Sequence, residues 1–166
     1  MDGISLSLII FRYIPETAIL VALSVVLTGY ELKLKEIILI ALIGAPFVAV
    51  ARLFIPIPGI YTIIVFPLLV LLISYFYKIN LASSAVVSAL GLIIMGMTET
   101  AYLFMLSELT GANIIQSLAD PLWKMLIPVP EYLFLSALII LCKRFRLTIL
   151  NIREFNDIRR NRLQRI

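Results

Sequence analysis

Five long apolar runs follow one another along the chain, and they restrict its fold more than any other feature. They cover residues 4–30, 37–55, 60–77, 81–106 and 122–141, with short polar or proline-containing breaks between them. About 20 helical residues cross a hydrocarbon layer of about 30 Å, and each run is close to that length. Because backbone groups inside a bilayer must be hydrogen-bonded within the protein, such runs are helical. The sequence therefore predicts an all-α, polytopic membrane protein, with a bundle of five transmembrane helices.

The composition agrees with this prediction. Of the 166 residues, 62% are hydrophobic and only 14% are charged. A soluble domain is close to half apolar and a quarter charged. We therefore expect a multi-pass protein of the cell membrane, with the lipid bilayer as its first partner.

Basic residues predict the orientation of the bundle. Lys33, Lys35, Lys78 and the basic residues of the C-terminal tail fall on one side of the predicted spans. Lys and Arg are enriched in the cytoplasmic flanks of membrane helices, so this side is predicted to be cytoplasmic, with the N-terminus outside and the C-terminus inside. The chain then divides into a five-helix transmembrane domain, residues 1–143, and a basic juxtamembrane cytoplasmic helix, residues 144–166.

Several ionisable residues interrupt the apolar runs. A charged side chain in hydrocarbon costs roughly 2.5–3.5 kcal/mol on insertion scales, so such residues usually face the bundle interior or a wet cavity. In the predicted orientation, all of these residues fall in the outer half of the bilayer. They are Arg12, Glu16, Arg52, Glu99 and Glu131. We interpret them as an outward-facing ligand-binding pocket formed by Arg12, Glu16, Glu99, Glu131 and Tyr102.

A plainer interpretation of the same residues stays open. Arg12 and Glu16 are four residues apart, so they can form a local pair at a helix entrance, worth a few tenths of a kcal/mol. Arg52 can extend its charge towards the membrane surface along its own apolar stem. Glu99 and Glu131 can make structural hydrogen bonds between helices.

The C-terminal tail is basic and modestly amphipathic. Three interpretations remain: it lies on the anionic inner leaflet, it continues the fifth span as a signalling helix, or it only fixes the topology. Its basic residues flank a membrane span and have few interleaved aromatic residues, which argues against nucleic-acid binding. The residues expected to contact a partner or the membrane surface are Arg144, Arg146, Arg153, Phe155, Ile158, Arg159 and Arg160.

The residue types present argue against catalysis. The chain has no histidine, which removes the commonest general base and transition-metal ligand. Cys142 is the only cysteine, so a cysteine-rich metal site is not available. Because no catalytic or phosphate-binding motif is present, we predict no catalytic residues, no metal, no cofactor and no enzymatic activity.

Several sequence stretches resemble a known family. These are RYIPE near the start, the turn ELKLKE, the stretches ARLFIPIPGIYTII and SYFYKINLASSAVVSAL, and the basic segment after the fifth run. Together they resemble the polytopic sensor region of Gram-positive histidine kinases, whose GHKL-type ATPase module is shared with the accessory-gene-regulator quorum-sensing receptors. The resemblance implies a two-component system in which the bundle detects a peptide or lipid-phase signal. The last helix then passes that signal to a cytoplasmic kinase.

The chain departs from this family in one respect. It contains neither a phosphoacceptor histidine nor an ATP-binding module, so we expect either a stand-alone sensor or the membrane part of a larger kinase. The predicted function is a sensor or regulatory module that binds a small ligand or peptide and signals through its last helix. A cytoplasmic kinase, another signalling protein and a second copy of the chain are the candidate partners. A solute-binding transporter component and a membrane assembly factor remain as alternatives.

Overall fold

The computed structural model describes residues 8–54, 60–110 and 121–149. Within these ranges, all regular secondary structure is helical, which confirms the all-α prediction for this part of the chain. The elements are a π-helical segment, Ile9–Tyr13, followed by α1 (Ile14–Leu27), α2 (Leu34–Phe54), α3 (Ile60–Tyr77), α4 (Leu81–Thr110), α5 (Pro121–Leu126) and α6 (Val129–Phe145).

Among the described residues, three helical stretches are long and apolar enough to cross a membrane. They are Ile9–Leu27, Leu34–Arg52 and Leu81–Leu109, while the apolar stretch Thr62–Tyr77 of α3 is shorter. Large apolar side chains such as Phe11, Phe47 and Phe104 are exposed on the outside of the bundle, where lipid would cover them. The chain is therefore a membrane protein, whereas five spans and their orientation remain predictions.

The part of the first apolar run from Ile9 to Leu27 is one continuous helical stretch rather than two pieces. Pro15 lies in the first turn of α1, and the preceding turn is widened into a π-helix in which the Ile14 N–H bonds to the Ile9 carbonyl. Proline has no N–H and its ring collides with the carbonyl four residues earlier, so the wider turn accommodates it.

Helix α1 is central to the bundle. It packs against α2, α4 and α6, and α3 completes the bundle by packing against α2 and α4. Two apolar clusters form on its sides, one shared with α2, α3 and α4 and the other shared mainly with α6. The buried residues of α1 are Thr17, Leu20, Val21, Leu23, Ser24, Val25, Val26 and Leu27.

Helix α4 approaches α1 closely because Gly91 has no side chain. A Cβ atom built at Gly91 would overlap Ser24 Oγ of α1 and lie 2.9 Å from Ser24 Cβ. Small residues commonly permit such close approach between membrane helices. This contact fixes the distance between the two helices that carry Glu16 and Glu99.

The two ends of the bundle differ in their polar residues. Arg12, Glu16, Arg52, Glu99 and Glu131 lie at one end, which we call the predicted outer end. At the opposite, predicted inner end, the Ile149 N–H donates to the Leu27 carbonyl at 2.8 Å. The predicted clustering of charges at one end of the bundle is therefore present in the structure.

The structure also gives the start of the tail. Helix α6 ends at Phe145 because Arg146 adopts a left-handed conformation, with φ of 52°. The fifth predicted span therefore does not continue as an α-helix through residues 146–149. The predicted contact residues Arg153, Phe155, Ile158, Arg159 and Arg160 lie outside the described residues, as does the IPIPG turn at residues 55–59.

Candidate functional site

The centre of the predicted outer end is an ion pair between Glu16 of α1 and Arg52 of α2. Arg52 Nη2 donates to Glu16 Oε1, and Arg52 Nη1 donates to Glu16 Oε2 at 3.2 Å. The two side chains are only 15% and 14% exposed. A guanidinium that meets a carboxylate with two parallel hydrogen bonds forms a strong and geometrically specific pair. Arg52 therefore links α2 to Glu16 of α1. Its role is not limited to extending its charge towards the membrane surface.

The local pair between Arg12 and Glu16 that the plainer interpretation expects is present, but it is weaker than the pair between Arg52 and Glu16. Arg12 Nε lies 4.0 Å from Glu16 Oε2, at the limit of an ion pair. The guanidinium carbons of Arg12 and Arg52 lie 5.9 and 5.2 Å from the centre of the Tyr13 ring. Both distances suit a cation–π interaction. Tyr13 thus provides a second surface that holds the two cations together.

Glu99 of α4 and Glu131 of α6 approach this ion pair from two further helices. Glu99 interacts electrostatically with Glu16, Arg52 and Arg12. Glu131 interacts with Glu99, Glu16 and Arg12, and Thr98 faces its carboxyl group. Among the described residues, Glu131 is 6% exposed and its Oε1 atom has no hydrogen-bond partner. A buried acceptor without a partner is unusual in a folded protein and is worth a functional explanation.

Two tyrosines complete the arrangement. The Tyr132 hydroxyl lies 3.4 Å from the Arg12 carbonyl oxygen, which links α6 to the π-helical segment. The Tyr102 hydroxyl donates to the Ile127 carbonyl oxygen at 2.7 Å, in the turn between α5 and α6. Tyr102 therefore positions that turn and lies near Glu131. We call the residues Arg12, Glu16, Arg52, Glu99, Glu131 and Tyr132 the polar cluster.

The Tyr102 hydrogen bond yields a first prediction. Tyr102→Phe is expected to lower the free energy of unfolding by about 1 kcal/mol, because the Ile127 carbonyl loses its donor. Reversible unfolding in mixed detergent micelles measures the difference. Tyr75→Phe is the matched control, since Tyr75 is 77% exposed. Equal losses in the two variants would show that the Tyr102 hydroxyl does not hold the turn.

A small cavity opens beside the ion pair. Its volume is about 70 Å³. Pockets that hold drug-sized ligands usually measure about 300–1,000 Å³, so this cavity suits a few water molecules or a very small group. We call it the outer cavity; its polar lining includes Glu16, Thr17, Arg52, Thr62 and Glu99.

The structure brings together the residues predicted from the sequence as a pocket. Arg12, Glu16, Glu99 and Glu131 belong to the polar cluster, and Tyr102 lies at its edge. Only Glu16 and Glu99 of the predicted set line the outer cavity. Sequence reasoning underestimated Arg52, since only the rotation of α2 shows that its charge faces Glu16. The described residues contain no group of three or more His, Cys, Asp or Glu side chains suited to a metal ion.

Of the seven residues predicted to contact a partner or the membrane surface, the structure describes only Arg144 and Arg146. Arg144 and Arg146 are exposed at the predicted inner end, and Arg144 still belongs to α6. Nothing in their arrangement identifies a protein partner.

Comparison with known proteins adds no family: neither a family model, nor a curated protein, nor a solved structure matches this chain.

Proposed function

We propose that this chain is a membrane sensor or regulatory module that binds a small ligand at the polar cluster and signals through α6. The observation that carries the proposal is the position of Glu131. It is buried in the first turn of α6, among charges supplied by the π-helical segment, α1 and α4. The same helix ends with Lys143 and Arg144 at the other end of the bundle. One rigid element therefore connects the polar cluster to the start of the tail.

The geometry restricts the class of ligand. The outer cavity of about 70 Å³ is too small for a peptide. The Glu16 carboxylate is already engaged by Arg52, whereas Glu131 Oε1 has no hydrogen-bond partner among the described residues. Glu131 does not line the outer cavity, so a small ligand that reaches from the cavity to this acceptor needs an ammonium or another hydrogen-bond donor. The peptide class implied by the family resemblance is not favoured for this cavity.

The length and the packing of α6 suit it to transmit a movement from the polar cluster to the tail. Helix α6 has 17 residues, so it is about 25 Å long. It packs mainly against α1 and only lightly against α4. A ligand that binds Glu131 better in one position of α6 than in another would shift the equilibrium between those positions. The shift would then move residues 143–149, from which a cytoplasmic kinase or another partner would read the signal.

The experiment uses the full chain in oriented vesicles and trypsin, which cleaves after Lys143, Arg144 and Arg146. Glu131→Gln replaces the buried carboxyl group of α6 with an amide of nearly the same size, which changes its hydrogen-bonding capacity within the polar cluster. We expect cleavage in this segment to change in rate by about fivefold or more, the lower end of usual coupling between distant sites. The emission of the only tryptophan, Trp123 of α5, is recorded as a second measure at the outer end.

Glu108→Gln provides the control, because Glu108 is an exposed acid of α4 outside the polar cluster. This variant should retain the cleavage rate and emission of the unaltered chain. If Glu131→Gln leaves both readouts unchanged, then α6 does not couple the two ends and the proposal is wrong. Saturable uptake of a small solute into the same vesicles would instead favour a transporter component.

A further inference from the structure

A second, larger cavity lies at the predicted inner end, far from the polar cluster. Its volume is about 680 Å³, within the usual size range of small-molecule sites. The end of α1, the turn after it, and the end of α6 line this cavity, which is open to its surroundings. We call it the inner cavity, and it is lined by Val26, Gly29, Tyr30, Glu31, Leu32, Cys142, Lys143, Arg146, Leu147 and Thr148.

The backbone after α6 forms one wall of the inner cavity. The left-handed conformation of Arg146 turns the chain back over the end of α1, where the Ile149 N–H bonds to the Leu27 carbonyl. A left-handed conformation costs a residue other than glycine roughly 1–2 kcal/mol. Here it is enforced by the hydrogen bonds that end α6, from the Arg146 N–H to the Lys143 carbonyl and from the Leu147 N–H to the Cys142 carbonyl, a common way for a helix to end.

The polar side chains of the inner cavity suit a phosphate group. Lys143 and Arg146 provide cationic donors, while Tyr30 and Thr148 provide hydroxyl groups. Glu31 lies on the same lining. Arginine and lysine are the usual protein partners of phosphate. The lining therefore contains two cations and one acid, and the two cations form the site for a phosphate.

Helix carboxyl ends normally repel anions, because their last carbonyls carry partial negative charge. Here several of these carbonyls already accept hydrogen bonds from the turns that follow the helices. This reduces the repulsion that a phosphate would meet. The bonds run from Gly29 N to Val26 O, from Tyr30 N to Val25 O, from Leu147 N to Cys142 O and from Ile149 N to Leu27 O.

We propose that the inner cavity binds the phosphate-bearing headgroup of a membrane phospholipid. Phe145, Leu147 and Ile149 are 64%, 57% and 59% exposed beside the cavity, so acyl chains attached to the headgroup would lie against apolar side chains. The cavity also lies at the end of a candidate membrane span, Ile9–Leu27, where lipid headgroups are expected. Basic pockets between membrane helices commonly bind anionic headgroups. This inference goes beyond the proposed function and does not depend on it.

The test measures retention of phosphatidylglycerol by the full purified chain, reconstituted into discs of phosphatidylcholine with a minor fraction of the anionic lipid. The variant Lys143→Gln/Arg146→Asn removes both cations of the inner cavity. Asparagine tolerates the left-handed conformation better than most residues, so the turn at position 146 is preserved. We expect the affinity for phosphatidylglycerol to fall roughly 25-fold, about fivefold for each cation removed.

The variant Lys35→Gln/Arg144→Gln is the matched control. It also removes two cations from the predicted inner end, but neither residue lines the inner cavity. Retention of lipid by this control, together with loss in the cavity variant, supports a specific site. Equal losses would reduce the effect to surface charge and overturn the proposal.

A second arm uses inorganic phosphate as a competitor. A phospholipid site predicts little displacement of phosphatidylglycerol by free phosphate, because the acyl chains add contacts with Leu147 and its neighbours. Complete displacement would assign the cavity to a soluble phosphate compound and overturn the lipid assignment.

Circular dichroism and the Trp123 emission show whether the cavity variant is folded. If it is not, Arg146→Asn alone serves the same comparison against Arg144→Gln.

Discussion

Arg52→Met is expected to lower the free energy of unfolding by about 2–3 kcal/mol. The substitution removes the partner of Glu16, a carboxylate whose side chain is only 14% exposed. Breaking a fully buried ion pair on one side costs about 3–5 kcal/mol, because the remaining charge has no compensation. The residual exposure and the nearby Arg12 reduce that cost here. Reversible unfolding in mixed detergent micelles measures the change.

A double-mutant cycle separates the pair from other roles of Arg52. Glu16→Gln/Arg52→Met removes both charges, and we expect it to be more stable than Arg52→Met alone. Lys35→Met is the control for loss of a cation from the exposed surface of α2, and it should change stability by less than about 0.5 kcal/mol. Simple additivity of the two single substitutions would contradict the ion pair.

The bilayer explains why clustering of the charges was predictable from the sequence. Each ionisable side chain within an apolar run has to avoid hydrocarbon, so several of them at similar depth tend to meet. Counting residues along each run estimated those depths well enough to group Arg12, Glu16, Glu99 and Glu131. The same reasoning left the pairing open. Whether Glu16 bonds to Arg12 or Arg52 depends on the rotation of α2 about its axis, which its apolar sequence does not specify.

The inner cavity was not predicted, for a different reason. It depends on the left-handed turn at Arg146 and on the return of the chain to Leu27. Arginine is not a residue that favours such a turn, so no local pattern indicated that the chain turns back at residue 146. One signal was present: the turn after α1 and the basic end of α6 were both assigned to the predicted inner side. Their juxtaposition follows only once α6 is seen to pack along α1.

Gly91→Ala is expected to destabilise the bundle by about 1–3 kcal/mol, the usual cost of overpacking a well-packed contact. The new methyl group would overlap Ser24 Oγ and lie 3.3 Å from the Leu20 carbonyl oxygen. Ser24 cannot turn away freely, because its hydroxyl donates to that carbonyl at 2.7 Å. Helix α4 would therefore move away from α1, and Glu99 would move away from Glu16. The measurement is again reversible unfolding in mixed micelles.

Gly96→Ala is the matched control on the same helix. A Cβ atom at Gly96 would meet nothing within 4 Å. Because alanine favours a helix interior by up to about 1 kcal/mol over glycine, this variant should be neutral or more stable. Ser24→Gly in combination with Gly91→Ala should recover part of the loss, since it removes both atoms that the methyl group overlaps. Equal effects of the two alanine substitutions would mean that close contact between α1 and α4 does not determine their separation, and that the distance between Glu16 and Glu99 is set elsewhere in the bundle.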